Sequence, residues 1–347
     1  MARPKRLVRT HTFDDWMSAG GAVVGSLCFT LVVFEHLLDG SGTLGFLVSW
    51  FAAFLLLYAG LVALNNPRPI VTERLVSATL WTAAGVVVFA LGSTIVYTFA
   101  KGWNAYSHLG FFIHSMAGIA PTAPLSQGGI SHAIIGSVIE VGIAVIIAVP
   151  FGIGTAVYMS EVGGRFARPV RTVVEAMTAL PEILAGLFVY VVLIVDVGLP
   201  KSGLAASIAM AVTMVPIIAR AAEVALRVVP AGLREASLAL GAAQWRTVWK
   251  VVLPSARAGL ATATILGVAR GVGETAVVLI TSGASTFVEV NPTKNPMNSL
   301  PLFIYTSYAT HEPTAITRAF GAASVLLTLV LVLFVATRLL SRDRKAR

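Results

Sequence analysis

The chain contains little charge and almost no cysteine. Charged residues make up 12% of its 347 residues, against about 25% in a typical soluble domain. Hydrophobic residues make up 56%, and the mean hydropathy is +0.84. This composition excludes a disordered chain and argues against a soluble enzyme. The single cysteine, Cys28, excludes a disulfide framework or a cysteine-based metal cluster, and we interpret it as a helix-packing residue.

Several chemical motifs are also missing from the sequence. It has no Gly-x-x-x-x-Gly-Lys-Ser/Thr phosphate-binding loop and no Gly-x-Ser-x-Gly nucleophile motif, and its six histidines show no metal-ligand spacing. Gly271-x-Gly273 partly matches a dinucleotide fingerprint, but it lies in an apolar stretch without a preceding strand. The chain therefore carries no recognisable catalytic site and cannot bind ATP through a P-loop.

Eight stretches of the sequence are long and apolar enough to cross a bilayer, which requires about 20 mostly apolar residues. They run from Trp16 to Leu38, Leu44 to Leu64, Leu75 to Ala100, Ala133 to Tyr158, Val173 to Val195, Gly203 to Ala222, Leu260 to Ser282 and Ile316 to Leu340. The first is too long to be a cleaved signal peptide, and no small-residue cleavage site follows it. The sequence therefore predicts an all-α, polytopic membrane protein with about eight transmembrane helices.

The basic residues lie mostly on one side of these spans. With the N-terminus inside, twenty of the 25 Lys and Arg residues fall in inner segments, and only Lys101, Lys201 and Lys294 fall outside. Because cytoplasmic loops carry an excess of Lys and Arg, both termini are expected in the cytoplasm. Orientation then accounts for most of the net charge of +9, and no nucleic-acid partner is predicted.

The inner segment at residues 223–257 is longer than a linker requires. It predicts a short helix from Leu233 to Leu240 with Gly241 as its C-terminal cap. An amphipathic stretch from Gln244 to Leu253 follows and is expected to end at Pro254. Periodicity alone fits two interpretations, a contact with a soluble partner or a helix lying on lipid headgroups.

This segment resembles the signature of the membrane subunits of ABC importers, Glu-Ala-Ala, then Gly, nine residues, and Ile-x-Leu-Pro. Ser237 and Val251 are the two mild departures from it. The resemblance implies that the short helix couples to a cleft in a separate ATP-binding subunit. The residues that it assigns to this contact are Arg234, Glu235, Ala236, Gly241, Leu253 and Pro254.

Further segments are similar to the PstA-type permease of the phosphate-specific ABC importers. They are Ala179–Pro181, Gly186–Tyr190, Val215–Arg220, Val229–Ala236 and Ala269–Ala276. The resemblance covers about Ile130 to the C-terminus and implies a MetI-like permease domain at 75–347. Residues 1–74 would then form a cytoplasmic tail plus an accessory two-helix membrane hairpin.

The resemblance also implies the remaining parts of a bacterial plasma-membrane importer. These are a homologous PstC-type permease, two copies of a cytoplasmic ATPase that binds ATP and Mg²⁺, and an extracytoplasmic phosphate-binding protein. The binding protein would dock on the two long outer loops, whose aromatic residues also fit the role of interfacial anchors. This chain itself would be a non-catalytic subunit without a cofactor of its own.

Among the ionisable residues within or at the ends of the predicted spans, we single out Glu140, Arg220, Arg270 and Glu274. A charge at mid-span costs roughly 3 kcal/mol on insertion scales, so its default interpretation is functional. Arg270 and Glu274 are one turn apart, which fits either a structural salt bridge or an anion site in which the carboxylate moderates the guanidinium. The family resemblance implicates Arg220, Arg270 and Glu274 in the substrate path, whereas Glu140 is interpreted as a helix–helix hydrogen-bonding residue.

Three other functions remain open from the sequence. The same machine could carry another oxyanion, such as sulfate or molybdate. The chain could be an ion-gradient-driven transporter or channel, although no inverted repeat is visible. It could also be a structural or sensory membrane partner with no transport path of its own.

Overall fold

The computed structural model describes residues 13–36 and 42–342, which are mostly helical and contain no strand. The helices are α1 (Phe13–His36), α2 (Thr43–Asn65), α3 (Arg68–Tyr106), α4 (Gly110–Ile113), α5 (Ser131–Val157), α6 (Ala167–Ala179), α7 (Glu182–Val189), α8 (Gly203–Arg227), α9 (Ala231–Ala239), α10 (Gln244–Thr247), α11 (Leu253–Val272), α12 (Ala276–Thr281), α13 (Leu300–Ala309) and α14 (Pro313–Arg342). Three π-helical segments continue α5, α7 and α10: Tyr158–Val162, Tyr190–Asp196 and Val248–Val252.

Seven helices in the described part of the chain are long and apolar enough to span a membrane, or eight if one bent pair is counted as a span. The polytopic, all-α prediction is therefore confirmed. The span predicted from Val173 to Val195 corresponds to this bent pair, in which α6 and α7 meet at an angle of 105°. The span predicted from Leu260 to Ser282 is also interrupted, since α11 ends at Val272 and α12 begins at Ala276.

Contacts divide the chain into two units, residues 1–94 and 95–347. In the first unit, α1 packs on α2 through Gly25, where an added Cβ would lie 2.9 Å from Leu57. The indole of Trp50 donates to the hydroxyl of Ser26 at 3.2 Å. Leu75, near the start of α3, packs with the buried residues Ala22, Tyr58 and Val62. The boundary of the predicted N-terminal hairpin, at residue 74, stays a prediction.

The second unit is organised around α8, whose buried face is rich in Ala and Met. Small residues allow close approach between membrane helices, where packing rather than the hydrophobic effect drives association. An added Cβ on Gly267 of α11 would lie 2.4 Å from Ile218, and one on Gly271 would lie 2.6 Å from Met214. Ala263, Gly267 and Gly271 recur at every fourth residue, a spacing that predicts the close approach of another helix, and the helix packed there is α8.

The inner segment contains the predicted short helix, observed as α9. Pro230 precedes it, and Gly241 follows it with φ at +79°, a left-handed conformation that glycine adopts at little cost. The stretch from Gln244 does not end at Pro254, as the sequence suggested. It continues through the π-helical segment into α11, and Pro254 lies in the first turn of that helix. Proline is tolerated there because first-turn N–H groups lack intrahelical acceptors.

Candidate functional site

The bend between α6 and α7 is centred on Leu180 and Pro181. Leu180 has an extended backbone, with ψ at 133°, as expected for a residue before proline. Pro181 has no N–H to continue the α6 ladder, and it occupies the N-cap position of α7. The local sequence therefore breaks the helix within an otherwise apolar stretch.

A cavity of about 240 Å³ lies at this bend. Its lining residues come from both sides of the break and from α8 and α11: Met177, Thr178, Leu180, Glu182, Ala185, Val212, Thr213, Ile217 and Arg270. Two hydroxyls, one carboxylate and one guanidinium converge there. Such a set, with its single cationic group, can bind an oxyanion through charge-assisted hydrogen bonds.

Arg270 is held at the cavity by the last turn of α11. Its guanidinium forms an ion pair with the carboxylate of Glu182, the first residue of α7, and the two side chains are 46% and 36% exposed. The sequence suggested that Glu274 would share a helix face with Arg270. Glu274 instead lies beyond the end of α11 and is only 3% exposed, so the carboxylate that pairs with Arg270 comes from another helix.

Arg220 does not line the cavity and belongs to an ionic cluster nearer the inner end of α8. Its guanidinium is 3.0 Å from Glu175 of α6 and 3.6 Å from Glu223. The buried carboxylate of Glu223 also pairs with Arg171 at 2.6 Å and with Arg227 at 2.7 Å. Since Ile217 lines the cavity and lies one turn before Arg220, this cluster follows the cavity along α8 toward its inner end.

Glu140 on α5 is fully buried, and neither of its carboxylate oxygens has a hydrogen-bond partner within the described chain. Ser282 lies beside it. The hydroxyl of Ser282 is already engaged, because it donates to the carbonyl of Met297 and accepts from the Met297 N–H, both at 2.8 Å. The helix–helix hydrogen bond predicted for Glu140 stays a prediction, with Ser282 as the polar side chain beside its carboxyl group.

A second surface of interest lies on α9. Glu235 and Ala236 are exposed, and Leu238 and Leu240 beside them are 49% and 90% exposed. The hydroxyls of Ser237 and Thr247 lie 2.9 Å apart and join α9 to α10. This helix presents an apolar surface with one acidic residue, while its other face is fastened to the rest of the chain.

Arg234 makes the contacts that hold α9 to the rest of the chain, and its guanidinium points away from the exposed face of α9. It bonds both carboxylate oxygens of Glu161 at 2.9 and 2.7 Å and donates to the carbonyls of Val229 and Leu226 at 2.6 and 2.9 Å. Leu253 and Pro254, the other members of the predicted coupling motif, lie in the first turn of α11.

Arg318, in the second turn of α14, is 1% exposed. Its guanidinium donates to four carbonyls of one outer loop, those of Pro121, Ala123, Pro124 and Gln127, at 2.8–3.1 Å. Of the outer-loop aromatics, Phe111 is 1% exposed, whereas Trp103 and Phe287 are 62% and 66% exposed. The loop is therefore folded onto a buried cation.

Sequence reasoning missed Glu182, Glu161 and Arg171, because each acts through a partner distant along the chain. Glu182 carried a detectable signal, since an acidic residue directly follows the proline that breaks an apolar stretch. Glu161 and Arg171 looked like ordinary residues of an inner loop.

Comparison with known proteins identifies the family. The sequence model described as "Binding-protein-dependent transport system inner membrane component" matches residues 148–346, more than half of the chain. The chain is 36% identical to phosphate transport system permease protein PstA 1 of Mycobacterium tuberculosis (strain ATCC 25618 / H37Rv), over 78% of this chain and 92% of that protein.

Two other relatives and one solved structure are also similar. The phosphate transport system permease protein PstA of Mycobacterium leprae (strain TN) is 38% identical over 67% of this chain and 76% of its own length. A probable PstA of Methanocaldococcus jannaschii is 34% identical over 64% of this chain and 79% of its own. A chain of the inward-facing MetNI methionine ABC transporter has a TM-score of 0.49 and 24% identity, covering 62% of this chain and 93% of that one.

The family model and the PstA relatives each cover more than half of the chain. The chain is therefore a multi-pass membrane transport component that belongs to the binding-protein-dependent transport system inner membrane component family, with PstA permeases among its relatives.

Proposed function

We propose that this chain is the permease subunit of an ATP-driven phosphate importer and forms one half of its translocation pathway. The observation that carries the proposal is the placement of Arg270 in a cavity at the broken span, with the hydroxyls of Thr178 and Thr213 in the same lining. Phosphate cannot enter hydrocarbon without donors that replace its water shell, and a guanidinium fork matches two of its oxygens. The PstA relatives support phosphate as the anion.

In this proposal, the path contains two cationic binding sites. Arg270 binds the anion at the bend, and Arg220 receives it nearer the inner end of α8. Each guanidinium pairs with a carboxylate, Glu182 or Glu175, so neither holds an anion permanently. Weak and sequential sites suit conduction, because a pathway must release what it binds. Glu274 acts indirectly, as a buried residue at the break between α11 and α12.

Coupling to ATP occurs through α9. The exposed face around Glu235 and Ala236 docks in a cleft of one ATPase subunit, and Gly241 shapes the end of the helix. Arg234 acts from the other face by holding α9 to the inner ends of α5 and α8. ATP and Mg²⁺ are bound by two ATPase copies, and differential contact with their states drives the change between outward-open and inward-open forms. This chain contributes no catalytic residue.

The complete assembly contains a PstC-type permease that supplies the other half of the path. An extracytoplasmic phosphate-binding protein delivers the anion to the outer loops, including the loop held by Arg318. Both chain termini lie in the cytoplasm, as the distribution of Lys and Arg indicates.

The test of the pathway is phosphate uptake by the complex reconstituted in proteoliposomes. Arg270→Gln should abolish uptake while the subunits still co-purify. Arg257→Gln is the matched control, because Arg257 is an exposed residue of the same helix outside the cavity. Wild-type uptake by Arg270→Gln would refute the assignment.

The remaining alternatives give different results in the same assay. Inhibition of uptake by excess sulfate or molybdate rather than by phosphate would identify another oxyanion importer. Uptake that survives ATP depletion would identify an ion-gradient-driven transporter. Intact uptake after Arg270→Ala and Arg220→Ala together would identify a partner with no path of its own.

The test of coupling uses Glu235→Lys, which reverses the charge on the exposed face of α9. We expect loss of uptake and weaker ATPase co-purification with normal membrane insertion. Normal uptake and normal co-purification in this variant would exclude α9 as the docking helix.

A further inference from the structure

The carboxylate of Glu182 occupies the guanidinium of Arg270 inside the candidate anion cavity. Both residues line the cavity, and they form an ion pair there. A carboxylate oxygen and a phosphate oxygen accept from the same guanidinium N–H groups. The chain therefore places an anionic group of its own where an oxyanion would bind.

The exposure of this pair means that it can open. The side chains of Arg270 and Glu182 remain 46% and 36% exposed, so the rest of the chain does not enclose either of them. Ion pairs that are not buried contribute little to stability. Glu223, by contrast, is 3% exposed and is bound to several arginines at once. The Arg270–Glu182 pair is the weaker of the two arrangements.

The position of Glu182 gives its carboxylate a second favourable interaction besides the ion pair with Arg270. It is the first residue of α7, directly after Pro181. Negative charge is favoured in the first turn of a helix, where N–H groups lack intrahelical acceptors. A displaced carboxylate therefore loses one favourable contact and retains another.

We propose that Glu182 is a resident counter-anion that the arriving substrate displaces from Arg270. This inference rests on the proposed function of the cavity. The competition keeps substrate binding weak enough for release and disfavours anions of low charge, which compete poorly with a carboxylate. Because Glu182 belongs to α7 and Arg270 to α11, the exchange also removes a link between the two helices when substrate is present.

The test is equilibrium binding of radiolabelled inorganic phosphate to the purified complex without the binding protein. Glu182→Gln removes the competing charge while keeping the side-chain shape, and phosphate affinity should rise by about threefold or more. Chloride should inhibit phosphate binding more strongly in this variant than in the native complex. Glu182→Asp retains the charge and should bind phosphate with an affinity nearer the native value.

Asp196→Asn is the matched control, because Asp196 is an exposed carboxylate at the far end of the same bent element. Its phosphate affinity should equal that of the native complex. Subunit co-purification checks that each variant assembles.

The sign of the affinity change decides between two roles for Glu182. If Glu182 only orients Arg270, Glu182→Gln will bind phosphate more weakly, and unchanged or weaker binding overturns the proposal. The Arg270→Gln variant separates this inference from the proposed function. If Arg270→Gln abolishes uptake and Glu182→Gln leaves phosphate affinity unchanged, the cavity is the path and only the displaceable counter-anion is refuted.

Discussion

Arg234 and Glu161 form a two-point ion pair in which Nε and Nη2 of the guanidinium lie 2.9 and 2.7 Å from the two carboxylate oxygens. The pair joins α9 to the π-helical segment at the inner end of α5, and the Glu161 carboxylate is only 7% exposed. The hydrogen bond to Glu161 raises the pKa of Arg234 above its usual value. The guanidinium therefore keeps its charge throughout the physiological pH range.

This pair should transmit movement of α9 to α5. Glu161→Gln removes the ionic part of a contact worth on the order of 2 kcal/mol. We expect uptake to fall by about tenfold, in line with usual coupling energies, while the ATPase still co-purifies. Arg165→Gln, an exposed residue of the adjacent inner loop, is the control and should transport normally. Loss of the ATPase from Glu161→Gln would instead assign the pair to assembly.

Gly241 provides a test of backbone geometry at the end of α9. Its φ of +79° is unfavourable for other residues, but no atom lies within 4 Å of an added Cβ. Gly241→Val should therefore destabilise the helix end by about 1–2 kcal/mol and lower uptake, whereas Gly241→Asn, a residue that tolerates this conformation, should transport nearly normally. Aspartate has nearly the same shape as asparagine but carries a negative charge. If Gly241→Asp transports less phosphate than Gly241→Asn, the difference is therefore due to the added charge at the ATPase contact. Equal uptake by Val and Asn would exclude the backbone explanation.

Arg318 should determine the order of the outer loop that it bonds. Arg318→Met removes a buried guanidinium that donates to four loop carbonyls, and we expect a loss of about 3 kcal/mol. Thr314→Val removes one exposed hydrogen bond to the carbonyl of Pro121 and should cost about 1 kcal/mol or less. Limited proteolysis of the loop and thermal unfolding in detergent measure both effects. Equal resistance of the two variants would show that the buried guanidinium does not fix the loop.

Glu289 gives the other outer loop a pH dependence. The N–H of Asn291 and the amide of Asn295 hold the pKa of its carboxyl below the usual value of 4.5. Because the folded pKa is lowered, the stabilisation is complete above pH 4.5 and is lost as the pH falls through the folded pKa. Hydrogen exchange at the Val290 and Asn291 amides should therefore accelerate at acid pH beyond the intrinsic change. Glu289→Gln should show no such transition, and equal profiles would contradict the assignment.

The sequence was sufficient for those features that depend on residues close together in the chain. Apolar length predicted the membrane helices, and the breaks at Pro230 and Gly241 predicted α9. The spacing of Gly267 and Gly271 predicted a close helix contact. In each case the residues that determine the feature lie within about one helix. Hydrophobic periodicity and backbone preference are therefore enough to predict it.

The features that escaped prediction depend on which helices meet. Apolar length carries no information on the direction of the backbone, so it gave no sign of the 105° bend at Pro181. The expected pairing of Arg270 with Glu274 failed since α11 ends between them and α7 brings Glu182 closer. Glu161 and Arg234 are 73 residues apart, and nothing in their local sequences indicates that they meet.

The contact between α8 and α11 also sets the size of the cavity. A methyl group on Gly267 or Gly271 would overlap Ile218 or Met214, so alanine at either position would push the two helices apart. Arg270 precedes Gly271 directly, while Thr213 and Ile217 on α8 form the facing wall. The breadth of the candidate cavity is therefore governed by two residues that contribute no side-chain atoms.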